Sequence, residues 1–160
     1  NPRGGNFQGG LYPVSANVPL GAQTGATPDG RLAHSPVADG VSPSAGKDVN
    51  GPTAAANSVA KLDHSIASNG TLFNQKFHPS ALSGRVGLEN FVAYIRGYFD
   101  QKGSHIQFNV VSRETLLDAQ KNPEQYKTLV VRVAGYSALF TSLSRSLQED
   151  IINRTQQNGF

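Results

Sequence analysis

No cysteine occurs among the 160 residues, which removes disulfides, cysteine-ligated zinc, iron–sulfur clusters and any thiol nucleophile supplied by this chain. Methionine is also absent, so a chain that opens on Asn1 in a glycine-rich run reads as a piece of a longer polypeptide. No apolar run reaches the roughly 18 residues a membrane span needs, and no charged-then-apolar leader stands at the start. The expected setting is therefore soluble and cytoplasmic, with no membrane partner. Charge is sparse: the 14 basic and 11 acidic residues are interspersed rather than blocked, so no nucleic-acid footprint is expected. His34, His64, His78 and His105 lack the spacing of a helical metal site, and no metal is expected.

What is present falls into two stretches. Most of the 17 glycines and 9 prolines crowd the first 55 residues, which are expected to be loop with no helix running through them. A short edge strand is read at Leu11–Val18 from its alternation, despite two prolines. Thr27-Pro28-Asp29-Gly30 carries the chemistry of a tight turn. Thr53–Asp63 reads as a short helix and Gly70–Phe77 as a strand.

From Gly87 the periodicity sharpens. Leu88, Phe91, Val92, Ile95 and Phe99 recur at helical spacing, with Gly103 as the stop. Ile106, Phe108 and Val110 alternate as a strand with one apolar face. Ser112 is placed to cap a helix reaching Lys121, which Asn122-Pro123 ends. Leu129–Val133 is apolar except for Arg132 and reads as a strand buried on both faces. A last helix starts near Ser144 or Ser146, where Ser146 and Glu149 fit a capping box. Ser44–Asp48 lacks the first glycine and the hydroxyl ligand of a phosphate loop and is set aside. The Asn69-Gly70-Thr71 and Asn153-Arg154-Thr155 sequons carry no meaning in a cytoplasmic protein.

Val130-Val131-Arg132-Val133-Ala134-Gly135-Tyr136-Ser137-Ala138 is the segment with the most chemical content. It resembles the signature around the radical glycine of the glycyl radical enzymes. Gly25–Arg31, Gly70–Phe77 and Gln107–Val111 are similar to further segments of that family, in the same order. Leu11–Val18 and the terminal Leu-Gln-Glu-Asp-Ile-Ile look more like the dehydratase-type lyases than like pyruvate formate-lyase proper. Chemistry gives a separate reason for glycine at 135. An α-carbon radical is shared between an electron-donating amide nitrogen and a withdrawing carbonyl when the centre flattens, and a side chain would crowd both peptide groups. An apolar approach strand is expected to hold the loop and keep solvent and oxygen away.

The resemblance implies an α/β fold: the C-terminal portion of a ten-stranded β/α barrel, with the radical glycine on a loop inserted toward the barrel centre. Residues 1–36 then end the pyruvate formate-lyase-like catalytic domain, and 37–160 form the glycine radical domain. It implies no bound cofactor. The radical is installed by a separate activating enzyme that uses S-adenosylmethionine and an iron–sulfur cluster, and it then takes a hydrogen atom from a cysteine on the remainder of the catalytic chain. The full-length enzyme is expected to be a homodimeric lyase of anaerobic metabolism, dehydratase-type or formate acetyltransferase-like.

Within that reading Gly135 carries the radical. Arg132, Ala134 and Tyr136 support its loop, with Arg132 expected to snorkel or to meet a buried carboxylate or carbonyl. Gln8, Tyr12 and Val14 share one side of the early strand and are assigned to the substrate cavity by resemblance. Each has a plainer alternative: a turn glycine, packing aromatics, an exposed edge. Two other classes stay open at this point. One is a free-standing radical subunit that replaces an oxygen-cleaved C-terminus, and the other is a binding module that has kept the fold and lost the radical.

Overall fold

The computed structural model describes every residue, Asn1–Phe160, as a mixed α/β fold with two apolar cores joined by a buried polar layer. Five helices occur: α1 (Asn17–Ala22), α2 (Pro52–Val59), α3 (Gly84–Asp100), α4 (Arg113–Lys121) and α5 (Arg145–Asn153). Strands β1 (Asn74–Phe77), β2 (Gln107–Val110) and β5 (Gln156–Gln157) form a parallel sheet in the order β2-β1-β5. β3 (Val130–Arg132) and β4 (Ser137–Leu139) form a separate antiparallel hairpin. No helix is long and apolar enough to cross a membrane.

The apolar periodicity of α3 builds the first core. Tyr94 and Tyr98 lie buried against Phe73, just before β1, Phe77 of β1 and Ala55, Ala56 and Val59 of α2. Phe91 meets Phe108 of β2 edge-on at 4.7 Å between ring centres, a geometry that the quadrupoles of aromatic rings favour. α3 ends at Asp100, and Lys102, not Gly103, takes the left-handed conformation (φ 73). Gly103 N donates to Tyr98 O and Lys102 N to Phe99 O, the paired bonds of a Schellman ending. Glycine at 103 serves another need, because a Cβ there would stand 2.2 Å from the Tyr98 ring.

The second core lies between α4, α5 and the hairpin: Leu116, Val131, Val133, Phe140, Ile151 and Ile152 are almost wholly buried. α4 begins as expected, with the Ser112 hydroxyl accepting from Thr115 N at 3.1 Å. α5 is capped by Ser144, whose hydroxyl accepts from Leu147 N. The Ser146–Glu149 capping box does not form, and Glu149 pairs with Arg145 instead.

Three expectations in the chain's apolar and loop segments are corrected. Leu11–Val18 is not a strand: Leu11 makes one parallel bridge to Thr71, and the chain then turns into α1, a helix inside the stretch expected to hold none. The hydrogen bonds of Leu11 with Gly70 O and Leu72 N use up the sheet-like part before Pro13. β3 is not buried on both faces either. Val131 and Val133 face the core while Val130 is 58% exposed, because the strand sits in a two-stranded hairpin rather than inside a parallel sheet.

β1 is buried at all four positions, yet three of its residues are Asn74, Gln75 and Lys76. Lys76 is 2% exposed, and its Nζ donates to Ile151 O and Ile152 O at 3.3 and 2.9 Å, satisfying the last carbonyls of α5. Burial, and next the nearby Arg113 and Arg154 charges, lower its pKa to about 8. Between pH 8 and the ordinary lysine value of 10.5, the folded state has released a proton that the unfolded state keeps, so stability rises with pH across that window. Below it both states are charged, and the full burial cost remains. In urea unfolding of the wild type against Lys76→Met, the stability difference is expected to move toward the wild type from pH 8 to pH 10.5 and to stay flat from pH 6 to pH 7.5.

Candidate radical-loop site

Gly135 stands at the tip of the β3–β4 hairpin. Arg132 pairs with Ser137 and Val133 N donates to Tyr136 O at 2.8 Å, leaving Ala134 and Gly135 as the turn. Gly135 has φ +83, a value that side-chain-bearing residues rarely adopt. A methyl placed on it would lie 3.3 Å from Leu72 Cδ1, so one side of its α-carbon is covered. The residue itself is exposed. Within this chain β3 holds the loop, and Leu72 covers one side of its tip.

Rigidity comes from the base of the hairpin. In a common β-turn the first carbonyl accepts from the fourth amide, but here the Val133 carbonyl is drawn elsewhere. It accepts from Arg154 Nη1 at 2.7 Å and from Asn74 Nδ2 at 3.2 Å. Arg154 Nη2 donates to Asp150 Oδ2 at 2.9 Å, and its Nε lies 3.3 Å from Asp39 Oδ2. Asn74 Nδ2 also donates to Asp39 Oδ2 at 2.5 Å, and Asn17 Nδ2 donates to Asp150 Oδ1 at 3.2 Å. Burial pushes the Asp39 carboxyl up from its ordinary pKa, with the Arg154 charge pulling the other way. α1, the loop at Asp39, β1, the hairpin and α5 thus meet in one buried cluster centred on the Arg154 guanidinium.

A second set of contacts comes from β2. Arg132 Nη2 donates to Gln107 Oε1 at 2.9 Å and Nη1 to Ser137 Oγ at 3.1 Å. Arg132 therefore meets the side-chain carbonyl of buried Gln107, one of the partners expected for it, together with a hydroxyl. The Gln107 amide also donates to Asn74 Oδ1, tying the two sets together.

An open groove of about 570 Å³ runs past the loop, lined by Tyr12, Val14, Leu72, His105 and the Ala134–Tyr136 tip. The structure brings Tyr12 and Val14 to Gly135 even though the strand expected to carry them is absent. Tyr12 Oη accepts from Asn69 Nδ2 at 2.7 Å, and Val14 takes a left-handed φ of 60, a strained conformation for a β-branched residue. Gln8 is exposed and does not line this groove. Sequence reasoning missed Leu72, His105, Asn74, Asp39 and Arg154. Asn74 and Leu72 sat inside a recognised segment without a role, and Arg154 entered only as the middle of a sequon.

The chain matches the glycine radical family over residues 37–141. It is similar to the Roseburia inulinivorans protein of 1,2-propanediol dehydration, with 74% identity and a TM-score of 0.95 over 98% of this chain and 20% of that one. It is also similar to the glycerol-bound, B12-independent glycerol dehydratase of Clostridium butyricum, with 69% identity and a TM-score of 0.95 over 99% of this chain and 20% of that one. The probable dehydratase YbiW of Escherichia coli is 54% identical over 97% of this chain and 19% of that protein. The chain belongs to the glycine radical family and carries the glycyl radical domain of dehydratase- and lyase-type enzymes. It spans about a fifth of the length of these relatives.

Removing Arg154 leaves two buried carboxylates and the Val133 carbonyl without their shared donor. Arg154→Gln is expected to cost about 3–5 kcal/mol, read as a lower urea midpoint. Pairing it with Asp39→Asn should recover part of that loss, since one uncompensated charge is then gone.

Proposed function

We propose that Gly135 stores an unpaired electron and that the chain is the C-terminal, radical-carrying part of a dehydratase-type glycyl radical lyase. The observation that carries this reading is the placement of Gly135: a left-handed glycine at a hairpin tip, exposed on a groove while its base is fixed by Asn109 of β2, whose amide bonds both backbone groups of Arg132, and by Asn74 and Arg154 on the Val133 carbonyl. The α-carbon has room to flatten, and the peptide groups on either side are held. Leu72 covers one side, and Tyr136 and Ala134 flank the centre. Arg132 fastens β3 to β4 and β2. Likeness to the two dehydratase structures supports the dehydratase type, and the family match that starts at residue 37 supports residues 1–36 as the end of the catalytic domain.

In the intact enzyme the hairpin tip is inserted toward the centre of a ten-stranded barrel, which supplies the seal that this chain lacks. A radical-SAM activating enzyme with an iron–sulfur cluster removes one Gly135 hydrogen. In turnover a cysteine thiol on the remainder of the catalytic chain gives its hydrogen atom to Gly135, which becomes closed-shell while the sulfur becomes the radical that meets substrate. The balance is one S–H bond broken and one C–H bond formed. Tyr12 and Val14 line the substrate side, next to the tip, in a homodimeric, cytoplasmic enzyme of anaerobic metabolism.

Anaerobic activation of the full-length protein is expected to give a doublet in electron paramagnetic resonance, from coupling to the hydrogen left on Gly135. Admitting air should then cut the polypeptide at residue 135. Gly135→Ala should abolish both, since a methyl there meets Leu72 and a left-handed backbone. A doublet that survives Gly135→Ala, or an activated protein that air leaves intact at 135, overturns the assignment.

A further inference from the structure

The hairpin that carries Gly135 makes no main-chain ladder with the rest of the protein. β3 pairs only with β4, and the other sheet runs β2-β1-β5. The outward edge of β3 is nonetheless not left open. Arg132 N donates to Asn109 Oδ1 at 2.8 Å, and Asn109 Nδ2 donates to Arg132 O at 2.7 Å. One side-chain amide thus does for Arg132 what a neighbouring strand does in a sheet, taking the N–H and the C=O of the same residue. Asn109 is 6% exposed, so water does not substitute for it, and an unpaired group there would carry its full desolvation cost.

Resting on the reading of Gly135 as the radical carrier, we propose that Asn109 is a positioning residue for the radical. Its amide fixes the backbone of Arg132, three residues before Gly135, to β2, and so sets where the α-carbon stands and how far it moves. Gln107, two residues earlier on the same face of β2, holds the Arg132 side chain. β2 therefore grips Arg132 by backbone and by guanidinium, and Arg154 grips the next residue by its carbonyl. The α-carbon is three residues beyond the Asn109 grip and two beyond the Val133 carbonyl, which Arg154 and Asn74 of β1 hold together.

The chemistry demands an amide. At this side-chain length only Asn offers a donor and an acceptor side by side, complementary to a peptide edge. Aspartate has the same shape and only half the function. Ionised, it accepts from Arg132 N but turns a second anionic oxygen on the Arg132 carbonyl. Protonated, it donates there again. Burial and the facing carbonyl favour its protonated form, against the pull of the Lys76, Arg132 and Arg154 charges. The charged groups around position 109 are Lys76 of β1, Arg132 of β3, Asp150 and Arg154 at α5, and Asp39 and Asp48 from the loops. They are common to every variant, so their own titration cancels between Asn109→Asp and Asn109→Ala.

The test uses the full-length enzyme with its activating enzyme, comparing wild type, Asn109→Ala and Asn109→Asp at pH 8.0 and pH 5.5. Each is held where circular dichroism shows it folded. The readouts are the width of the glycyl doublet and the half-life of the radical at a fixed dissolved oxygen level, and neither needs the substrate. Asn109→Ala is expected to broaden the doublet and shorten the half-life about tenfold, equivalent to about 1.4 kcal/mol in the barrier, at both pH values. Asn109→Asp should match it at pH 8.0 and return to the wild-type width and half-life at pH 5.5. A loss of stability alone would not broaden the signal of folded protein. If Asn109→Ala fails to fold, the pH comparison within Asn109→Asp still decides. Wild-type widths and lifetimes in the variants, or no recovery of Asn109→Asp on acidification, overturn the positioning role. A wild type without a doublet, or a doublet that survives Gly135→Ala, overturns instead the reading of Gly135.

Discussion

A guanidinium shared between two buried carboxylates and one backbone carbonyl is the constraint on which the rest of the molecule turns. Arg154 donates to Val133 O at 2.7 Å and to Asp150 at 2.9 Å, and stands beside Asp39. Burying such a cluster costs more than burying apolar groups of the same volume, so it is a poor source of net stability. Its effect is geometric. The segments that meet at this cluster must each bring a partner for one of its charges, or leave a charge unpaired at a cost of several kcal/mol. α1 brings Asn17, β1 brings Asn74, the 39–42 loop brings Asp39, and α5 brings Asp150 and Arg154.

The same constraint explains why β1 is polar where a central strand is ordinarily apolar. Asn74 and Lys76 are spent on the hairpin and on the end of α5, and Phe77 alone enters the aromatic core. Across β1, Gln107 and Asn109 of β2 continue the polar face toward β3. The two apolar cores are thus separated by a layer of amides and charges, and the glycine hairpin is mounted on that layer rather than packed into either core. A polar mount has a sharper minimum than an apolar one, because hydrogen bonds weaken steeply once the donor angle falls below about 120°, whereas apolar packing is nearly direction-free.

Such a mount is hard to read from sequence, and the pattern of what was legible follows from that. α3 and α4 were readable because amphipathic periodicity and a capping serine are local signals, set by the residues within one or two turns. The Gly135 loop was readable because its neighbours match a known signature residue by residue. β3 was placed correctly along the chain but assigned the wrong burial, since a run of Leu and Val does not tell a hairpin from a buried parallel strand. Leu11–Val18 was misread because alternation persists by chance over a few residues, while Pro13 and the positive φ at Val14 divert the chain. Arg154, Asp39 and Asn74 are 35 to 115 positions apart in sequence, and nothing local marks them as partners. Tyr12 and Val14 reached the groove for a reason unrelated to strand parity: the Leu11–Thr71 bridge carries them there.

On the proposed reading of Gly135, storage of an electron on its α-carbon sets two demands that pull against each other. The centre must change shape by a few tenths of an ångström, and it must stay where one partner atom can reach it. An enclosing pocket of side chains would meet the second demand and hinder the first. This fold separates them along the chain. The tip, Ala134 and Gly135, carries no main-chain hydrogen bond within the hairpin beyond the Val133–Tyr136 closure, and glycine adds no bulk. The fixed points lie at Arg132 and Val133, where backbone groups are taken by Asn109, Asn74 and Arg154. Local freedom at the α-carbon is thereby combined with a position defined to within a hydrogen bond's tolerance, two to three residues away. On the proposed reading, a loop whose position is set from its base can present its α-carbon to a partner atom without a pocket of its own.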